Sequence, residues 1–146
     1  MLKTLDALLG PELLHALASM GHGDEIAIVD ANFPAASCAR RLVRLDGATA
    51  TEALKAVLSL LPLDTFVQAP LASMAVVGDA SAVPTIVREF DGIALRAHGA
   101  PARREALARE AFYARTREAY AVVQTGETRL YGNLLLRKGV VGPGAS

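Results

Sequence analysis

The chain has little of what small secreted or metal-stapled domains depend on. It holds one cysteine, Cys38, and no tryptophan, and only 5% of its residues are aromatic. One thiol cannot close an intrachain disulfide, and this usage suits a reducing, cytoplasmic compartment. Neither sign of charge is in excess, since 15 lysines and arginines balance 15 aspartates and glutamates. A net charge of zero supplies no long-range pull toward nucleic acid or an anionic membrane surface. No apolar run reaches the ~18 residues of a membrane span. The start, "MLKTLDALLGPELL", lacks the apolar stretch and small-residue cleavage site of a signal peptide. The glycines spell neither GxGxxG nor a GKS/GKT phosphate loop, and no serine stands in a nucleophile elbow. Dinucleotide binding, phosphate-loop chemistry and serine hydrolysis are therefore not indicated.

What is present is a chain of 146 residues, 52% of them hydrophobic, with alanine and leucine supplying much of the excess. That length predicts one domain able to bury about two-thirds of its unfolded surface. The apolar fraction exceeds the usual range, which points to faces hidden against further copies of the same chain.

Pro11 at a first helical position, with Leu13, Leu14, Leu17 and Met20 at helical spacing and Gly21 as a stop, predicts a helix with His15 on its exposed side. "EIAIVDA" (25–31) reads as a buried strand and "VRLDG" as a second one. Thr49 and Glu52 form a capping box ahead of a helix that Pro62 ends. "SMAVVGD" (73–79) predicts a strand, Pro84 starts a helix to about Phe90, and "IALRA" predicts another strand. Residues 102–119 are rich in helix formers. "AYAVVQT" and "NLLLRKGVV" are the closing strands, expected to pair antiparallel. Alternating strands and helices predict an α/β fold, a single compact domain with a central, mostly parallel sheet and helices on both faces. Residues 1–141 form that domain, and "GPGAS" (142–146) is expected to be a disordered tail.

Three loops carry chemistry: "GHGD", "DANFP" and "TGETRLYGN". His22 lies between glycines, where a ligand can approach an imidazole that titrates near neutrality. From residue type alone, a surface loop histidine that caps a helix or bonds a carbonyl is the favoured reading. Asp24 either orients His22 or closes a turn, the turn being slightly favoured. Asp30 ends an apolar strand and needs partners, which the hydroxyls of a sugar would supply. His22 and Asp30 lie on opposite sides of that strand, so one chain joins them only by folding back at "GHGDE". A metal is not expected, because His15 and His98 bring no ligand-like neighbours to the His-x-Asp pair. Tyr131-Gly132-Asn133 combines a hydroxyl, a close backbone and an amide that both donates and accepts. That set suits a neutral polyol, and a plain hairpin turn is the competing reading. Arg109 and Tyr113 share one helical face.

"LLGPELLHALASMGHGDEIAIVDANFPAAS", "MAVVGD" and "AFYARTREAYAVVQTGETRLYGNLLLRKGV", in this order, resemble the family of L-fucose mutarotases and D-ribose pyranases, and its fucose branch in particular. The resemblance covers residues 1–141. It implies a cofactor-independent isomerase that interconverts the α and β anomers of L-fucose or a related pyranose. It also implies a homo-oligomeric ring, a decamer, with the monosaccharide held between neighbouring subunits. Carried over by position, His22 is the acid/base residue. Asp30, Arg109, Tyr131, Gly132 and Asn133 hold the sugar, with Asp24 and Tyr113 as lesser candidates. Two departures stand out: Asn32 replaces the histidine of the usual "DAHFP", and "RREALAR" occupies a segment where the family has a strand. Two rivals share the same residues, a mutarotase or pyranase for ribose or another sugar, and a sugar-binding ring without catalysis.

Overall fold

The computed structural model describes residues 1–145. The elements run α1 (Pro11–Ser19), β1 (Glu25–Val29), α2 (Ala35–Cys38), β2 (Leu42–Leu45), α3 (Ala50–Leu58), β3 (Leu71–Met74), α4 (Thr85–His98), β4 (Arg104–Leu107), α5 (Arg109–Glu118), β5 (Ala121–Thr125) and β6 (Leu134–Arg137). The strands form one six-stranded sheet in the order β2-β5-β1-β6-β3-β4. The pairs β2–β5, β5–β1 and β3–β4 are parallel, while β6 is antiparallel to both β1 and β3. Five strands therefore share a direction and β6 opposes them, as a mostly parallel sheet requires.

Alternation along the strands divides the core between the two faces. Ile26 and Ile28 of β1, with Leu134 and Leu136 of β6, pack against α1, α3 and α4. Ala27, Val29 and Leu135 face the other way, toward Phe33 and Phe112 under α2 and α5. Helices thus cover both faces. The capping box on α3 is complete: Glu52 N–H donates to Thr49 Oγ1 at 3.2 Å, and Thr49 N–H donates to Glu52 Oε2 at 2.8 Å.

Four expectations need correction. The closing strands do not pair with each other, because β1 lies between β5 and β6. The eight-residue link 126–133 is long enough to cross β1, whereas a tight hairpin takes about 2–5 residues. "IALRA" is not a strand but the second half of α4, which runs through Gly92 to a left-handed Gly99 (φ 75°). Ile86, Val87, Phe90, Ile93 and Ala94 keep one buried face along it, and that burial outweighs the ~1 kcal/mol cost of an interior glycine. Residues 104–107 form β4 rather than the start of a helix. Arg104 there donates to Asp91 on α4 (2.8 and 3.1 Å) and to buried Ser73 on β3 (2.7 Å), so tertiary partners override poor strand propensity. Finally, β3 covers 71–74 and ends where 73–79 was expected to continue, since 76–79 turn around Gly78 (φ 84°).

Among the described residues no helix is long and apolar enough to cross a membrane. Gly142 to Ala145 make an exposed turn closed by Ala145 N–H to the Gly142 carbonyl (3.2 Å). Ser146, the end of the expected tail, lies outside the described residues.

Candidate functional site

The carboxyl ends of β1, β3 and β4 and the amino end of β6 meet at one edge of the sheet. In open α/β sheets this is where ligands bind. A cleft of about 210 Å³ opens there, lined by Asp30, Asn32, Phe33, Met74, Val77, Arg109, Tyr113, Leu130, Tyr131 and Asn133. It falls below the roughly 300–1,000 Å³ of clefts that enclose drug-sized ligands, so it suits a molecule the size of a monosaccharide.

Two loops build the polar wall and brace each other. Asp30 N–H donates to Asn133 Oδ1 (2.9 Å), and Ala31 N–H donates to the Glu127 carbonyl (2.9 Å). Glu127 is itself buried, and its carboxylate gathers Thr128 N–H (3.1 Å) and the Arg129 guanidinium (3.0 and 3.3 Å). Gly132 seats the chain between these groups. A Cβ there would stand 2.9 Å from Glu127 Cγ and 3.0 Å from Ile86 Cδ1. The backbone at this position is closely packed, and its N–H bonds the Asp30 carboxyl. The neighbouring Tyr131 adopts φ 64°, a left-handed conformation uncommon for a bulky residue.

The directions of these bonds decide what remains for a ligand. Asn133 spends its carbonyl on Asp30 N–H and one NH2 hydrogen on the Asp30 carboxylate, which leaves it one donor. Tyr131 Oη accepts Val77 N–H (3.0 Å) and keeps its own proton to give. Asp30 supplies the acceptor. It is 6% exposed, and one oxygen accepts Asn32 N–H at 3.0 Å. Burial pushes its carboxyl above the ordinary value, and hydrogen bonds from Asn32, Asn133, Phe33 and Gly132 offset only part of that. Arg109 opens α5 with its guanidinium 5.7 Å over the Tyr113 ring, and Tyr113 meets Phe33 edge-on at 5.3 Å. Donors, one carboxylate and aromatic faces are the equipment for hydroxyl groups on an apolar ring.

His22 is not in this cleft. The chain does not fold back at "GHGDE". Instead a turn closes with Asp24 N–H on the Gly21 carbonyl (3.1 Å), and Gly21 N–H donates to Asp24 Oδ2 (2.7 Å). His22 stays at the amino end of β1, with the five residues of the strand, roughly 17 Å, between it and Asp30. Asp24 is the turn residue and does not orient the imidazole. The carboxylate that meets His22 is Asp64, whose Oδ1 lies 3.0 Å from Nε2. Sequence reasoning misses it, because the pair is 42 residues apart and no spacing rule connects them. Asn32 stands out in the sequence only as a departure from a family pattern. The apolar lining from Phe33, Met74, Val77 and Leu130 is also missed, since an apolar residue at a strand end looks like any core residue.

The chain matches the RbsD / FucU transport protein family over residues 3–141. It is 49% identical to the fucose mutarotase of Homo sapiens over an alignment covering 96% of this chain and 94% of that protein. The crystal structure of the fucose mutarotase in complex with L-fucose from Streptococcus pneumoniae superposes with a TM-score of 0.89 at 44% identity, covering 97% of this chain and 100% of that one. Bacillus subtilis RbsD complexed with D-ribose shares the fold, with a TM-score of 0.75 at 22% identity over 97% of this chain and 100% of that one.

Proposed function

The chain belongs to the RbsD / FucU family, and from that premise we propose that it is a fucose mutarotase, an isomerase acting at the anomeric carbon of L-fucose. The observation that carries this reading is the cleft at the sheet edge. Its acceptor Asp30, its donors Asn133, Tyr131 and Arg109, and its aromatic wall converge on a space of sugar size. The likeness to a mutarotase complexed with L-fucose supports the same substrate.

The reaction needs a proton removed and a proton supplied. A base takes the proton of the anomeric hydroxyl, a carbonyl forms at C1, and the bond from C1 to the ring oxygen breaks. An acid protonates that oxygen. The C1–C2 bond turns, and the same steps run backwards onto the other face of the carbonyl. Such help is worth about 10²–10⁴-fold, enough for a reaction that water alone already permits. His22 is the proton-transfer residue in this scheme, and the cleft residues limit rotation of the open sugar to useful geometries.

His22 and the cleft sit at opposite ends of β1, so a complete site takes two copies, with His22 of one chain closing the cleft of the next. A head-to-tail contact of this kind closes into a ring, for which a decamer in the cytoplasm is our reading. Phe66 beside His22 and Val77 and Leu130 at the cleft mouth are large, exposed apolar residues at the two surfaces such a contact would join.

Saturation-transfer NMR on L-fucose tests the activity. Wild-type protein accelerates exchange between the anomer signals, and His22→Ala removes that acceleration. Equal exchange with the two proteins would sink the scheme. Tight binding of one anomer with no acceleration would instead identify a sugar-binding ring, and faster exchange on ribose than on fucose would reassign the substrate.

A further inference from the structure

The turn that carries Tyr131 into the cleft hangs from one buried residue. Glu127 N–H donates to Thr125 Oγ1 (3.2 Å), which in turn donates to the Val29 carbonyl (2.8 Å). With its own carbonyl bonded to Ala31 N–H, Glu127 is fixed to the ends of β1 and β5. Its carboxylate Oε2 then accepts the next two amides, Thr128 N–H (3.1 Å) and Arg129 N–H (3.4 Å). At the far end of the turn, Gly132 N–H bonds the Asp30 carboxyl. Between these ends Tyr131 stands at φ 64°. A bulky residue keeps such a conformation only where its surroundings over-determine it.

Arg129 supplies the closing contacts. Its Nε and Nη2 meet the two Glu127 oxygens at 3.3 and 3.0 Å, the two-pronged fit of a guanidinium to a carboxylate. Its Nη1 donates to Glu89 Oε2 on α4 at 2.6 Å. The Glu127 side chain is 4% exposed, against 42% for Arg129 and 43% for Glu89. The Glu89 contact is thus open to water and contributes little, whereas loss of the Glu127 contact strands a buried charge. Burial opposes that charge, but the Arg129 guanidinium and the amides of Arg129 and Thr128 outweigh it and hold the carboxyl below its ordinary value. Helix α4 backs the turn a second time: a Cβ on Gly132 would meet Ile86 Cδ1, three residues before Glu89 on the same side of the helix. Arg129 itself does not line the cleft, while its neighbours Leu130 and Tyr131 do.

We propose that Arg129 is a positioning residue for the sugar cleft. Clamped on Glu127, it closes the turn that keeps Tyr131 left-handed, and so sets where the Tyr131 hydroxyl and the Asn133 amide meet the sugar. A wall held in place before the ligand arrives spares the binding step the cost of ordering it. The clamp bears on holding the sugar rather than on moving its protons, because His22 stands at the other end of β1. The kinetic consequence rests on the mutarotase reading, and the conformational one does not.

Two measurements on the full-length protein test it. The first needs no sugar. Wild type gives a strong NOE between the Tyr131 amide proton and its own Hα, the mark of a positive φ, and Arg129→Met weakens it. A weak NOE in wild type, or one that Arg129→Met leaves unchanged, overturns the proposal. The second is kinetic. Arg129→Met raises the KM for L-fucose roughly tenfold, about the worth of one hydrogen bond, and keeps the maximal rate of anomer exchange within about threefold. Introduced into Tyr131→Phe, the same change raises KM by a smaller factor, because part of what it acts through is already gone. An unchanged KM, a loss confined to the maximal rate, or full additivity with Tyr131→Phe overturns it. Should Arg129→Met not fold, Arg129→Lys keeps the charge without the fork, and the same readings decide. A wild type that fails to accelerate exchange defeats the mutarotase reading, and the sugar-free spectrum then judges Arg129 separately.

Discussion

Asp30 is the clearest case of a carboxylate buried at the candidate site against stability. Its carboxylate is held at a strand end where burial raises its pKa above 3.8. With the folded value above the unfolded one, the folded state takes up a proton first as pH falls. The stabilising form is therefore the protonated one: its contribution is complete below 3.8 and lost as pH rises through the folded value. Asp30→Asn keeps an oxygen for Asn32 N–H and removes the charge. We expect this variant to melt above wild type at neutral pH, with the gap closing as pH falls toward 3.8, while anomer exchange is lost. Thermal melts across pH read this directly, and a gap that widens on acidification would contradict the assignment. The chemistry of Asp30 was visible in the sequence, since a lone carboxylate after "EIAIV" needs an explanation. That of Asp64 was not, because "PLDTF" looks like any turn and its importance comes from a contact with a distant loop.

At the level of elements, the 126–133 connection has the tightest demands. It crosses β1, carries Tyr131 and Asn133, and packs Gly132 against Glu127 and Ile86. Gly132→Ala has no open space for its methyl group, so a loss of about 1–3 kcal/mol is expected, together with weaker fucose binding as the polar wall shifts. Urea unfolding and a fucose titration measure the two effects. Thr49→Ala is the matching control far from the cleft. Removing the capping box on α3 costs about 1 kcal/mol and leaves fucose binding untouched. Elements with strong local signals were legible: Pro11, the Thr49–Glu52 box and the β-branched run of β1 all mark what they form. The errors at α4 and β4 share one cause. "IALRA" suggests a strand and "REAL" suggests a helix, yet packing on α3 and pairing with β3 outweigh preferences worth about 1 kcal/mol.

For the whole molecule, the separation of His22 from the cleft turns oligomerisation into a functional question. Wild-type protein should sediment as one closed species of about ten chains. His22→Ala and Asp30→Asn, each inactive alone, should recover activity when their subunits are mixed. Random mixing gives roughly a quarter of the head-to-tail contacts an intact histidine and an intact cleft. A pair that never complements would mean that each site is made by one chain. Because the two variants repair each other only across a subunit contact, simple stabilisation does not mimic the result.

Local physics was written along the chain: which runs bury, where helices start, and which loops hold groups able to bind hydroxyls or move protons. Those properties depend on residue types within a few positions, where sterics, capping and burial act directly. The assembly of the site was settled at longer range. The insertion of β6 between β1 and β3, the bracing of Asp30 by Asn133, the pairing of His22 with Asp64 and the distance from His22 to the cleft all depend on strand order. Strand order is a balance of many weak packing terms spread over the whole core, and no short stretch of sequence carries it.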